Sequence, residues 1–268
     1  MSGAPPLVAL VGNPNAGKSS LFNALTGARQ KIANYPGVTV ERHSGRLNLP
    51  DGQTVELVDL PGTYSLDPAS PDEAVTRDVI LGRQAGERRP DALVIVVDAG
   101  NLENHLRFTL ELLDLGLPTV VALNMIDMAE RDGLTIDPAK LAAQLGVPVL
   151  PTVAVRRRGL DNLLSALAGQ ISVPKLAATR PGGPADEASR RLAAQRLSKD
   201  ATISETASHS LTNRLDSVLL HPIIGFVALI ALLFVMFQAV FSLAEAPIGW
   251  LETGIALVTR RLRRHWQQ

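Results

Sequence analysis

Cysteine is absent from all 268 residues. That excludes a disulfide framework and any thiolate metal site, and it agrees with a reducing compartment. Charge of one sign is not in excess either. The 26 Lys and Arg balance 26 Asp and Glu, so no global basic surplus points to nucleic acid. Aromatic residues make up 4% of the chain and hydrophobic residues 46%. The core must therefore come largely from Ala, Val, Leu and Ile. The opening residues MSGAPPLVALVG lack a basic n-region, and no signal peptide is expected there. The five histidines (His43, His105, His209, His221 and His265) are scattered without metal-ligand spacing and read as structural or solvent-facing.

What is present is an alternation of short apolar runs with helical patterns over residues 1–172. LVALVG (7–12), ALVIVVDA (92–99) and PTVVALN (118–124) are continuous apolar runs, as expected of parallel strands buried on both faces. HSGRLNL (43–49) and TVELVDL (54–60) read as two strands joined by the turn Pro50-Asp51-Gly52. PVLPTVAV (148–155) reads as a last strand. Helices are expected over 20–27, 101–116 and 160–171. The fold class is α/β, a P-loop domain on a mostly parallel sheet. Residues 173–215 read as a Pro/Gly/Ala linker that becomes a polar, arginine-rich helical spacer. Residues 216–245 contain a charge-free stretch from Ile223 to Phe241, long enough for a transmembrane helix. Glu245, just past it, reads as an interfacial carboxylate.

Gly12-Asn13-Pro14-Asn15-Ala16-Gly17-Lys18-Ser19 fits GxxxxGK[ST]. Glycines let successive backbone N–H groups turn toward phosphate oxygens. Lys18 should reach the β- and γ-phosphates and Ser19 should ligate Mg²⁺. Ser20 follows at the positive end of the next helix. Asn124-Met125-Ile126-Asp127, at the carboxyl end of an apolar strand, resembles the NKxD motif of GTPases with Met125 in the lysine position. Asp127 can accept from guanine N1 and N2, donors that adenine lacks. Thr152, Val153 and Ala154 sit where a G5 loop would contact the base. Asp59-Leu60-Pro61-Gly62 fits DxxG, with Asp59 on the Mg²⁺ side and the Gly62 N–H on the γ-phosphate. Thr39 is the candidate switch threonine for Mg²⁺. The glutamine that orients water in Ras-type enzymes is missing; Thr63 and Tyr64 follow Gly62. Asn15 resembles the asparagine of potassium-activated GTPases, with K⁺ between the phosphate loop and carbonyls near Ala33 and Tyr35. Lys18, Asn15, Thr39 and Gly62 are thus the catalytic candidates. The run Arg156-Arg157-Arg158, beside the guanine loop, reads as a solvated face, with a part in binding nucleotide or a partner as the alternative.

GNPNAGKSSLFNALTG, NYPGVTVE, DLPGTYSL and NMID, in this order, together resemble the FeoB family of bacterial ferrous iron transporters. LTNRLDSVLLHPIIG (211–225) and VMFQAVFSLAEAPIGWLE (235–252) are similar to that family's entry into its first membrane helix. The resemblance covers residues 6–172 and 211–255. It implies a Ras-like cytosolic GTPase domain, a helical spacer and a polytopic domain moving Fe²⁺ across the cytoplasmic (inner) membrane. GTP or GDP, Mg²⁺ and K⁺ are the implied ligands. A small cytosolic partner protein and an oligomer are compatible with it, and nucleic acid is not expected.

Two features depart from the family pattern. The spacer is short, and the chain ends after one membrane helix. A fragment or split gene product is therefore expected, unable to move iron alone. Residues 246–268, with Arg260, Arg261, Arg263 and Arg264, conflict with the positive-inside tendency. They read either as an interfacial helix or as a re-entrant segment with a basic tail. The competing readings are a soluble GTPase of ribosome or RNA assembly and a non-hydrolysing GTP sensor.

Overall fold

The computed structural model describes residues 4–27, 30–172, 186–205 and 221–240. Strand β1 (Leu7–Gly12) is buried at every position, because its alternate side chains enter two different cores. Leu7, Ala9 and Val11 join one apolar cluster; Val8 and Leu10 join the other. The remaining strands of the main sheet are β2 (Gln30–Asn34), β3 (Glu41–Asn48), β4 (Thr54–Asp59), β5 (Ala92–Asp98), β6 (Thr119–Asn124) and β8 (Val149–Pro151). Their spatial order is β2-β3-β4-β1-β5-β6-β8. β2 and β3 pair antiparallel, as do β3 and β4, and every pairing from β4 to β8 is parallel.

Two helical layers cover the sheet. Helices α2 (Pro71–Ile80), α3 (Leu102–Leu113), α4 (Ile126–Arg131) and α5 (Pro138–Leu145) supply the first cluster, through Val75, Leu106, Ile126 and Leu141. Helices α1 (Lys18–Thr26) and α6 (Leu160–Ser172) supply the second, through Phe22, Leu163 and Leu167. β1 lies between β4 and β5 at the point where the connections change direction. Ligands of open α/β sheets enter at such a point, outside the strands' carboxyl ends.

Several elements differ from the sequence reading. The run 148–155 is a strand only as far as Pro151. Pro151 has no N–H with which to continue a ladder, and Ala154–Arg156 winds into a 3-10 turn. α3 stops at Leu113, and α1 starts two residues early, at Lys18, behind Gly17 in a left-handed conformation. The edge strand β2 was not anticipated, because its five residues are polar or exposed. Nor were α2, α4 and α5.

The compact unit also runs past residue 172. Helix α7 (Glu187–Ala201) and strand β9 (Thr202–Glu205) belong to it. β9 pairs antiparallel with β7 (Leu134–Ile136). Ala194 and Ala201 of α7 are fully buried, and their small side chains let the helix lie close to its neighbours. Arg107 of α3 donates to Glu187 at 2.7 Å, and Gln144 of α5 to Asp200 at 3.3 Å. Arg190 sits between Glu111 (3.9 Å) and Asp114 (3.7 Å) of the α3 region.

Helix α8 (Pro222–Val240) forms part of a second unit. The helix has 19 residues, its apolar stretch has a mean hydropathy of 2.7, and none of that stretch is buried. At about 1.5 Å per residue it is close to the thickness of a bilayer's hydrocarbon core. The expected linker, the family-like junction and residues 246–268 lie outside the described residues or largely so.

Replacing Ala194 by Leu should overpack the α3–α7 contact and cost about 1–3 kcal/mol. Hydrogen exchange should show α7 and β9 losing protection while β1 and β5 keep theirs. Equal loss everywhere would mean that α7 is integral to the core.

Candidate functional site

The phosphate loop, residues 13–17, links β1 to α1. Asn13 is buried, and its carbonyl accepts from Lys18 Nζ at 2.9 Å and from Ala16 N at 3.4 Å. Lys18 is thus held on the loop's own backbone. Burial lowers its pKa, opposed by the nearby Asp59 charge. Gly62 packs against this loop. A Cβ there would lie 2.8 Å from Lys18 Nζ and 3.0 Å from the Pro14 backbone, so only glycine fits. Pro14 and Asn15 complete the turn. Asn15 is exposed in a left-handed conformation, φ 64°, and makes no hydrogen bond among the described residues.

Asp59, at the end of β4, accepts from the Ser19 hydroxyl at 3.1 Å through Oδ2. Its Oδ1 is buried and has no partner. Burial raises its pKa; the Lys18 charge, the Ser19 bond and His43 oppose that shift. An orphaned carboxylate oxygen beside a hydroxyl is a chemical fit for a hydrated divalent cation, while the Lys18 ammonium, of like charge to that cation, suits phosphate oxygens instead. Thr39 is not brought to this point. It is exposed in the loop after β2, a loop closed by bonds from Tyr35 N to Val40 O (2.9 Å) and from Val38 N to Tyr35 O (3.3 Å).

The two residues named for potassium, Ala33 and Tyr35, are placed differently from each other. Ala33 lies in β2, paired with Arg42. Tyr35 is buried in the first cluster with its hydroxyl unpartnered. Burial drives its phenol pKa up, reinforced by the Glu87 charge.

The loop after Gly62 has its own ties. Thr63 is buried and its hydroxyl donates to Ser65 O at 2.8 Å, so its one proton is committed to the backbone. Thr76 of α2 holds Pro61 O at 2.8 Å. Leu66 N donates to Glu111 Oε2 at 3.1 Å, and Glu111 also faces Arg190 of α7. One carboxylate therefore joins the loop after DxxG to the spacer helix. Sequence reading had no signal for this contact between residues 45 and 79 positions apart.

On the base side, Asn124 is 1% exposed. Its Nδ2 donates to Ala16 O at 3.0 Å, and its Oδ1 accepts from Ala154 N at 3.1 Å and Thr152 Oγ1 at 3.4 Å. It binds the phosphate loop to the 152–154 loop with every polar atom engaged. A Cβ on Gly17 would lie 2.3 Å from Asn124 Nδ2, so Gly17 too is dictated by this clamp. Met125 adopts a left-handed conformation, φ 59°, which turns the chain from β6 into α4. Beside it is a cavity of about 170 Å³ whose lining includes Ser20, Asp127, Val153 and Ala154. Asp127 lies there at 12% side-chain exposure, with Arg156 at 3.3 Å and Arg131 at 3.9 Å.

The arginine run is not uniformly solvated. Arg157 donates to Ala24 O at 2.8 Å, and the Arg158 backbone pairs with Val153. His105 is buried, with Nδ1 accepting from Asp98 N at 3.2 Å. Burial lowers its pKa, in keeping with a structural histidine.

Comparison with known proteins agrees with this geometry. Residues 7–167 match the family described as Ferrous iron transport protein B. The Fe(2+) transport protein A/Fe(2+) transporter FeoB fusion protein of Porphyromonas gingivalis is 31% identical over 330 residues, covering 94% of this chain and 38% of that protein. The Fe(2+) transporter FeoB of Escherichia coli (strain K12) is 49% identical over 164 residues, 60% of this chain and 20% of that one. This chain thus spans between a fifth and two fifths of these relatives' length. The solved cytosolic domain of L. pneumophila FeoB superposes with a TM-score of 0.57 at 44% identity, covering 61% of this chain and 63% of that one. The cytosolic domain of the T. maritima FeoB transporter in a GDP form gives 0.60 at 39% identity, covering 66% and 67%. From the family match, from these relatives and from a phosphate loop, DxxG and NMID gathered at one sheet edge, the chain belongs to the FeoB family, and residues 7–167 are its N-terminal G domain.

Proposed function

We propose that this chain binds GTP and GDP, hydrolyses GTP, and uses the cycle to gate Fe²⁺ entry through a membrane domain. Among the described residues, α8 is the span that would lead into that domain. Iron is cargo, and transport needs the rest of a transport domain. The proposed location is the cytoplasmic (inner) membrane, with the G domain facing the cytosol. The observation that carries the reading is the meeting of Lys18, Ser19 and the unpartnered Asp59 oxygen at the end of the phosphate loop.

Backbone amides of residues 13–17 and the N-terminus of α1 cradle the phosphates. Lys18 leaves the Asn13 carbonyl for the β- and γ-phosphates, an exchange that restores a full charge partner to a buried ammonium. The Gly62 N–H meets the γ-phosphate. Asp127 accepts from guanine N1 and N2 in the cavity formed with Val153 and Ala154, while Asn124 holds both loops in register and Met125 directs the turn. Ser19 and Asp59, joined by Thr39 once its loop closes, would hold Mg²⁺, which when bound neutralises charge on the β- and γ-oxygens. Asn15, free of hydrogen bonds among the described residues, is a side chain available to K⁺. Carbonyls of Ala33 and Tyr35 would join it after the loop moves, since Tyr35 O already serves Val38 N. With Thr63 turned to Ser65, no side chain stands in the glutamine's place, and slow turnover follows.

Switch-like coupling has a route through Glu111, which the Leu66 N–H and Arg190 share. A partner protein and an oligomer remain compatible with the fold. The soluble ribosome or RNA assembly reading is disfavoured by the charge balance and by the family match.

GTP turnover by the purified chain in Mg²⁺ should rise in K⁺ over Na⁺ and vanish with chelator. Asn15→Ala should abolish the K⁺ response while still binding GDP. Absence of turnover in either cation would leave only a nucleotide sensor. Membranes carrying the chain, washed at alkaline pH, should retain it in the pellet. Release into the wash would contradict α8 as a span.

A further inference from the structure

The cavity beside Asn124 already contains a ligand-like group supplied by the chain itself. Arg156 Nη1 stands 3.3 Å from Asp127 Oδ2. The loop that carries Arg156 is pinned on both sides. Ala154 N is held by Asn124 at 3.1 Å. Val153 and Arg158 exchange backbone bonds of 3.0 and 3.2 Å. Arg157, left-handed at φ 54°, anchors its guanidinium on the Ala24 carbonyl at the end of α1. The 3-10 turn Ala154–Arg156 is thus fixed by its neighbours, and Arg156 is left to Asp127. The Arg156 side chain is 64% exposed and Asp127 only 12%, so the guanidinium reaches the carboxylate from the solvent side of the cavity. The other charged group on Asp127 is Arg131, from α4, at 3.9 Å. Its Nε is committed to the Asp127 carbonyl at 3.1 Å.

The chemistry of the two donors is the same. Guanine offers a carboxylate the planar pair N1–H and N2–H; a guanidinium offers a planar fork of N–H donors. Both cannot occupy Asp127 fully at once. We propose that Arg156 is an affinity-setting residue of the nucleotide site: its guanidinium replaces guanine on Asp127 as the site empties, and this internal exchange speeds nucleotide release. The proposal rests on Asp127 being the guanine-reading group. It gives one residue and one mechanism to the alternative that the run of three arginines leaves open, that these charges take part in binding nucleotide. The exchange also spares Asp127 the cost of a desolvated, unpaired charge in the empty state.

The test is stopped-flow release of fluorescent GDP from the full chain in detergent, comparing wild type, Arg156→Ala, Arg158→Ala and Asp127→Ala. Arg158→Ala removes the same charge from the same loop but no ion pair to Asp127, whose partners among the described residues are Arg131 and Arg156. Release should slow about two- to fivefold in Arg156→Ala, the range for a partly exposed ion pair. It should be little changed in Arg158→Ala. Adding Arg156→Ala to Asp127→Ala should have no further effect. Unchanged or faster release in Arg156→Ala, with GDP still preferred over ADP, would overturn the inference alone. If Asp127→Ala keeps full preference for GDP over ADP, the underlying reading of Asp127 fails first.

Discussion

One buried amide holds the site together. Asn124 ties the phosphate loop at Ala16 to the base-side loop at Thr152 and Ala154. The two loops are separated by well over a hundred residues, and backbone bonds alone would leave them as independent surface connections. A buried amide must satisfy its donor and acceptors or carry a penalty of about 1–3 kcal/mol for each group left unmade. Here each bond it makes fixes a piece of the nucleotide cradle. Gly17 follows from the same constraint, because any side chain there would strike the amide. The motif asparagine is therefore a frame for the two loops, and in the proposed reading recognition of the base falls to its neighbour Asp127.

Around that frame, the charged groups are arranged for exchange. Lys18 rests on the Asn13 carbonyl, Asp59 keeps one oxygen unpartnered, and Asp127 leans on Arg156. In the proposed reading a phosphate, a hydrated cation and a guanine take the place of these contacts when the site fills. The loop after Gly62 extends the arrangement outward. Through Leu66, Glu111 and Arg190 it reaches helix α7, and α7 runs directly into β9. α7 and β9 are thus part of the same compact unit as the nucleotide site.

Legibility in the sequence followed burial. β1, β5 and β6 show as continuous apolar runs because both faces are covered. β2 does not, because an exposed edge strand imposes no hydrophobic pattern. β7 and β9 have three and four residues, too few for a period. α2 and α5 carried signals that were passed over. Ser70 caps Glu73 N with Pro71 behind it, and Asp137 caps Ala139 and Lys140 with Pro138 behind it; both are standard helix starts. For the site, the motif residues were legible because phosphate and guanine chemistry dictate residue types at short spacing. Glu111 was not, and Arg156 stood out only as one of three arginines beside the guanine loop, because their contacts depend on groups brought near by the fold.

The central claim is that Asp127 reads guanine through two hydrogen bonds inside this frame. Binding of GDP, xanthosine diphosphate and ADP to wild type and to Asp127→Asn tests it most directly. Xanthine keeps N1–H but presents an acceptor in place of guanine's N2 donor, so an asparagine amide matches it where a carboxylate does not. The account predicts GDP preferred by the wild type, xanthosine diphosphate preferred by Asp127→Asn, and ADP weak for both. An Asp127→Asn protein that still prefers GDP as the wild type does would contradict it.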